Sequence, residues 1–305
     1  MEKKLAPIVL FVYNRPWHTR QTLEALSKNS LADQSILYIY ADGAKENATD
    51  AQLNEIKEVR CLIREKKWCK QVEIIEREKN IGVENVMITG ITEIINKYEK
   101  IIVLEDDIVT SSYFLEYMNR SLNLYENINE VMVISGYNFP KLNNLPDTFF
   151  LYGGTNPWGW GTWKSAWKYF NSDSRSLYES IIDLPLDKIK QFNFDNNVDY
   201  IGMLKSSINN NWPYDIRWYA SVFLKEGYGL WPGKSLVQNI GHDNSGVHCK
   251  SSNIFYHKDL VAKLNIIKQE VKHNEKAYQK ITKWYKKNNH PTIFDRIIFK
   301  LKTFN

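Results

Sequence analysis

Over its first 135 residues the chain alternates short apolar runs with amphipathic stretches of helical period. Pro7–Tyr13 is an apolar run, Trp17–Asn29 repeats its apolar positions at helical spacing, and Ser35–Ala41 is apolar again and rich in β-branched and aromatic residues. Such a sequence predicts a βαβ unit. The pattern continues with a helix over Asp50–Lys67, a strand over Gln71–Glu76, a helix over Val83–Lys97, a strand over Lys100–Leu104, a helix over Ser112–Tyr125 and a strand over Glu130–Ser135. Strict alternation of this kind predicts an α/β fold: a mostly parallel sheet flanked by helices, with ligands held at the carboxyl ends of the strands.

Beyond Ser135 the regularity fades into an aromatic, Gly-rich stretch from Phe149 to Trp167. Residues 198–228 read as one or two helices with an apolar face, and Gly229–Asn239 as a strand. Asp259–Lys287 reads as one long Lys-rich helix, broken at Asn288-Asn289-His290-Pro291 and followed by Thr292–Phe304. No internal repeat or low-complexity linker interrupts the chain.

Composition narrows this picture. A length of 305 residues with 43% apolar content is enough to bury a sizeable core. Ten Trp and eighteen Tyr suit either a Trp-rich core or a cleft that stacks on nucleobases and sugar faces. The three cysteines, Cys61, Cys69 and Cys249, are odd in number and lack CxxC spacing, so neither a disulfide framework nor a zinc site is indicated, and a reducing cytoplasm fits best. The apolar run Leu5–Tyr13 stops at Asn14-Arg15-Pro16 without a small-residue cleavage site, as expected of a first strand and not of a signal peptide. Nothing approaches the roughly eighteen apolar residues of a membrane-spanning helix, so the expectation is a soluble or peripheral protein.

Charge is unevenly placed. Residues 263–305 hold eleven Lys/Arg against three Asp/Glu, a balance of +8, which leaves −3 of the net +5 for the rest. A nucleic-acid enzyme spreads basic residues through its catalytic body, whereas a basic tail on a near-neutral body reads as an attachment device for anionic surfaces.

The chemistry concentrates where the strand Ile101–Leu104 runs into Glu105-Asp106-Asp107. Three adjacent carboxylates repel one another. Either they form a solvated turn, or they collect at a sheet edge where a hard divalent cation offsets their repulsion and bridges to a diphosphate. Asp42-Gly43 ends the second strand: it is a good turn, and equally a carboxylate placed to hydrogen-bond a planar edge. Lys79-Asn80-Ile81-Gly82 precedes a helix N-terminus, a ready place for an anionic ligand. The GxG inside Trp158-Gly159-Trp160-Gly161 lacks a strand-to-helix setting, which excludes a dinucleotide loop.

In this order of motifs the sequence resembles the nucleotide-diphospho-sugar glycosyltransferases of the GT-A fold, in which an aspartate-containing triplet after a central strand holds manganese or magnesium. Glu105-Asp106-Asp107 followed by Phe114-Leu115-Glu116-Tyr117 resembles the N-acetylglucosaminyltransferase I type, and the overall order is similar to a bacterial family of sugar transferases. The resemblance spans about Pro7 to His248. It implies a Rossmann-like GT-A donor half over residues 1–140 and an acceptor half over 141–258; the basic helical tail, 259–305, lies outside it and is read from its own Lys-rich pattern.

The resemblance also implies roles, residue by residue. Asp107 is the ligand of Mn2+ or Mg2+, Glu105 and Asp106 face the ribose or donor sugar, Arg15 lies near the nucleotide, Asp42 reads the uracil base and Asn80 touches the donor. Trp158 and Trp160 stack on a sugar face, and His248 meets diphosphate or metal, with His242 the weaker match to the pattern. An inverting transfer needs a carboxylate to deprotonate the acceptor hydroxyl, and Asp215 in Trp212-Pro213-Tyr214-Asp215-Ile216-Arg217-Trp218 matches. Asp199, and a structural Asp215 paired with Arg217, stand as alternatives.

The implied partners are a nucleotide-sugar donor, probed first as a UDP-sugar, and a glycan or glycolipid acceptor, with no nucleic acid. The segment Thr292–Lys302 mixes large apolar and basic residues at near-helical spacing, which suits a helix lying on the inner face of the cell membrane or one docked on the protein's own core. Two rivals remain: a sugar-phosphate nucleotidyltransferase, weakened because Tyr13-Asn14-Arg15-Pro16-Trp17 lacks the Gly-rich loop that chemistry needs, and a catalytically silent glycan-binding protein of the same fold.

Overall fold

β1 (Ile8–Val12) has no polar side chain and is buried along its whole length, as a strand covered on both faces must be. The computed structural model describes residues 4–210, 213–245 and 252–289. After β1 come α1 (Pro16–Ser27), β2 (Ile36–Ala41), α2 (Asp50–Leu62), β3 (Gln71–Glu76), α3 (Val83–Tyr98), β4 (Lys100–Glu105), β5 (Ile108–Thr110), α4 (Phe114–Leu124) and β6 (Val131–Ser135). The remainder adds β7 (Thr148–Tyr152), β8 (Trp160–Trp163), α5 (Lys164–Trp167), α6 (Ser174–Ile182), α7 (Leu186–Phe192), α8 (Tyr200–Asn210), α9 (Tyr214–Leu224), β9 (Tyr228–Pro232), β10 (Val237–Asn239) and α10 (Glu275–Asn289).

The fold is α/β, an eight-stranded sheet in the order β3-β2-β1-β4-β8-β6-β9-β7 flanked by helices. β3, β2, β1 and β4 are all parallel. β8 then enters antiparallel to both β4 and β6, β9 lies parallel to β6, and β7 closes the edge antiparallel to β9. Strands from both sides of residue 140 therefore share one sheet. β5 pairs with β10 in a small antiparallel ribbon just past the end of β4.

Alternate residues of β1 feed two cores. Ile8, Leu10 and Val12 join Leu23, Leu26, Val59 and Phe114 on one face, while Val9 and Phe11 join Met87, Ile91, Trp160 and Trp218 on the other. Each fully buried Leu, Ile or Val contributes about 1.5–3 kcal/mol. Local signals set the helix starts: Pro16 is the first residue of α1, and Thr49 and Gln52 form a capping box on α2.

Two sequence expectations need correction. The helix from Asp50 stops at Leu62, after which the Trp68 indole is buried and donates to the Ile63 carbonyl. The long helix expected over Asp259–Lys287 begins only at Glu275. The stretch before it forms no helix, and backbone donors in it go to distant groups, Val261 N–H to the Ser235 carbonyl and Asn274 N–H to the Phe150 carbonyl. Leu264 and Ile266 are buried there, and α10 buries Ala277, Tyr278 and Ile281, so this part of the basic segment is packed into the protein. Thr292–Lys302 lies outside the described residues. No described helix is long and apolar enough to cross a membrane.

Candidate functional site

The parallel register brings three strand ends together. Val12 pairs beside Ala41, and Phe11 beside Glu105, so the segments that follow β1, β2 and β4 emerge at one carboxyl edge. Arg15 lies in the first of them and reaches the third. Its Nε donates to Asp106 Oδ2 at 3.3 Å, and its Nη2 bonds both Asp106 Oδ1 and Asp107 Oδ2, the latter at 2.9 Å. Backbone anchors hold the acids in place: Thr22 Oγ1 donates to the Asp106 carbonyl at 2.8 Å, and Ile240 N–H to the Asp107 carbonyl at 2.9 Å. The strand β10 thereby carries its following loop across the triplet. At Gly241 a Cβ would lie 2.1 Å from Asp107 Oδ2, so only glycine permits that approach.

Electrostatics at this edge are out of balance. Burial pushes the Glu105 carboxyl well above the usual range, and the charges of Asp107, Asp215 and Asp106 push it further. Asp106 is likewise raised by burial, with Arg15 opposing. Burial alone would weaken the Arg15 guanidinium's hold on its proton, but Asp106 and Asp107 more than reverse this. One guanidinium thus faces more carboxylates than it can neutralise.

Asp215 acts on this edge through its charge from the other half of the molecule. It sits in the first turn of α9, which packs against the second core, and its charge acts on Glu105, Tyr214 and Tyr200. Burial pushes the Asp215 carboxyl up to about 6, partly offset by backbone N–H donors including Ile216 at 2.9 Å. Arg217 turns to Glu84 and to the Ser172 carbonyl. Asp199 is exposed and caps α8, its Oδ1 accepting from Gly202 N–H at 2.8 Å, which gives it a structural task.

Asp42 and Asn80 are brought together as a clasp. Asp42 Oδ1 accepts from Gly43 N–H at 2.9 Å and Ile81 N–H at 3.2 Å, while Asn80 Nδ2 donates to the Gly43 carbonyl at 2.8 Å. A Cβ on Gly43 would stand 2.4 Å from the Lys79 carbonyl carbon, so the two segments touch through backbone. The pair shapes the turn at the end of β2, within the same edge as Arg15.

The aromatic expectations divide. Trp160 is 1% exposed on β8, its indole 6.1 Å from Trp167 and 6.3 Å from Trp218, and so belongs to the core and cannot meet a sugar face. Trp158 is part-buried and packs edge-on against Tyr137, His242 and Phe255. His248 lies outside the described residues. His18, which the sequence did not single out, is buried on α1, contacts Asp243 Oδ2 at 3.0 Å and Ser245 Oγ at 3.3 Å, and thereby fastens the loop after β10 beside Asp106. A lone His in a helix carries no local signal for a partner 225 residues away.

An oxygen-only group with surplus negative charge fits a hard divalent cation such as Mg2+ or Mn2+. Among the described residues no three His, Cys, Asp or Glu side chains make a ready cage. A cation held through one or two carboxylates and completed by substrate phosphate and water would fall to Asp107 and Asp106.

No family model matches the sequence, and neither does any curated protein. Among solved structures the chain is similar to S. aureus TarS, at 11% identity and a TM-score of 0.41, over 76% of this chain and 36% of that one, so it spans little more than a third of that protein. It is also similar to mouse xyloside xylosyltransferase 1 in its apo form, at 10% identity and a TM-score of 0.36 over 72% of this chain and 82% of the other. A UDP-glucose pyrophosphorylase complexed with UDP-glucose matches at 10% identity and a TM-score of 0.34, over 75% and 90%. Similarity at this level carries no argument about chemistry.

Proposed function

We propose that this protein is a glycosyltransferase that moves a sugar from a nucleotide-diphosphate donor, a UDP-sugar being the first class to test, to a saccharide or lipid-linked glycan. The observation that carries this reading is the convergence of Arg15, the Glu105–Asp107 carboxylates and Asp215 at the carboxyl edge of the sheet. Donor-side charge comes from β1 and β4, and a separate base comes from α9.

Asp215 takes the proton of the acceptor hydroxyl. A carboxyl near pH 6 is ionised at neutral pH yet still basic enough to serve. The acceptor oxygen then forms its bond to the anomeric carbon as the bond from that carbon to the diphosphate oxygen breaks, with inversion. Arg15 stabilises the charge that develops on the leaving diphosphate. A bound Mg2+ or Mn2+, held by Asp107 and Asp106, would add electrostatic stabilisation at the same leaving group. Asp42 and Asn80 shape the turn against which the base would lie, and Trp158 is the aromatic left to line the acceptor side.

The test is nucleotide release from a panel of UDP-, GDP- and CMP-sugars, with manganese and with chelator, for the native protein and Asp107→Ala. Metal-dependent release of one nucleotide, lost in the variant, is expected. Release from none of the donors, even with bacterial glycolipid extract as acceptor, would favour a silent glycan-binding protein.

A further inference from the structure

A buried ion pair joins the helix that bears Asp215 to the donor side of the molecule. Arg217 sits two residues after Asp215 on α9, with a side chain only 3% exposed. Its Nη2 bonds Glu84 Oε2, and its Nη1 donates to the Ser172 carbonyl at 3.0 Å. Glu84 is in the first turn of α3, two residues after Gly82. The segment just before it carries Asn80 and Ile81, which grip the Asp42–Gly43 turn. One guanidinium therefore connects the base-bearing helix, the β2 turn and the segment leading into α6.

Such a pair does little for stability alone, because desolvation offsets much of the attraction and apolar residues of similar size hold packed elements as well. What it adds is direction, since the planar fork fixes its partners at defined angles. Tyr214, Ile216 and Trp218 of α9 are buried in the core, and the Arg217–Glu84 bond adds a directional tie from its first turns to α3.

We infer that Arg217 and Glu84 are positioning residues that set Asp215 against the Glu105–Asp107 edge for proton removal. The inference rests on the reading of Asp215 as the base. It also means that the turn around Asp42 and the base are mechanically linked through α3.

The experiment measures transfer kinetics and nucleotide affinity for Glu84→Gln, Arg217→Lys and the double variant Glu84→Met/Arg217→Met, each in the native and Asp215→Asn backgrounds. Misplacing a catalytic group by about 1 Å costs roughly 10²-fold, so kcat is expected to fall by about 10- to 100-fold with KM for the donor and nucleotide affinity little changed. In the Asp215→Asn background the same changes should cost nothing further, because the group they position is gone. The double Met variant replaces the pair with apolar volume, and should keep a cooperative thermal transition while still losing kcat. Equal losses in both backgrounds, lost nucleotide affinity, or full activity in the double Met variant overturn the inference alone. An Asp215→Asn protein with native kcat overturns it together with the base assignment.

Discussion

The two halves of the sheet treat charge in opposite ways. The parallel half, β3-β2-β1-β4, delivers polar residues to one edge: Arg15 after β1, Asp42 after β2 and Glu105-Asp106-Asp107 at the end of β4, with Arg15 ion-paired to Asp106 and Asp107 and Asp42 N–H bonded to the Val12 carbonyl. The mixed half is packed with aromatics, Trp160, Trp167 and Trp218 among them, and sends a single carboxylate, Asp215, into the same space. A crowd of acids sharing a cation is suited to holding a charged ligand. A lone acid lifted by burial is suited to taking a proton. On the function proposed above, this difference would divide binding and chemistry between the halves.

The largest expected effect sharpens that division. Asp215→Asn should lower transfer by about 10²–10⁴-fold, the usual worth of a general base, as read by steady-state turnover. Next, Trp160→Ala should destabilise by about 3–5 kcal/mol in urea denaturation, since it empties the aromatic layer below the base. The exposed Trp17, changed to Ala, should stay within about 0.5 kcal/mol; a similar loss at both would break the account of the aromatic half. On the charged side, Arg15→Gln leaves Asp106 and Asp107 without their partner and should cost about 3 kcal/mol, with added Mn2+ restoring part of the melting temperature.

The pH dependence follows from the direction of the Asp215 shift. The base must be ionised, so turnover should fall about tenfold per unit as pH drops below about 6. For stability the sign is reversed. A carboxyl raised in the folded state binds its proton more tightly there, so this contribution is present at acid pH and is lost as pH rises through about 6. Asp215→Asn should remove that slope and stabilise the protein at pH 7 by on the order of 1 kcal/mol, while a flat turnover profile between pH 5 and 7 would deny the base its role. The smallest effect belongs to Asp199→Ala, which removes the cap of α8 at about 1 kcal/mol and should leave turnover unchanged.

The parallel half was legible because β1, β2 and most of β4 are contiguous apolar runs and each helix has its own periodicity; β3, which mixes polar with apolar residues, is also found with the expected bounds Gln71–Glu76. The mixed half was not. β8 is the four residues Trp160-Gly161-Thr162-Trp163, too short and too Gly-bearing for a strand pattern, and it exists because β4 and β6 both offer it pairing partners. Residues before Glu275 read as helical because Lys and Ile recur at helical spacing, yet Leu264 and Ile266 are buried two apart and the backbone donors go to distant groups. Within the site, Arg15, Asp106, Asp107 and Asp215 were visible as residues next to strand ends or in an aromatic segment. His18 and Glu84 were not, and Arg217 was read only as an alternative partner of Asp215, because their meaning lies in partners more than a hundred residues away.

The most direct test of the division is nucleotide affinity by calorimetry in the presence of Mn2+, using the nucleotide released from the active donor. The account predicts that Asp107→Ala loses binding while Asp215→Asn binds as the native protein does and fails only in turnover. The reverse pattern, binding kept by Asp107→Ala and lost by Asp215→Asn, would contradict it.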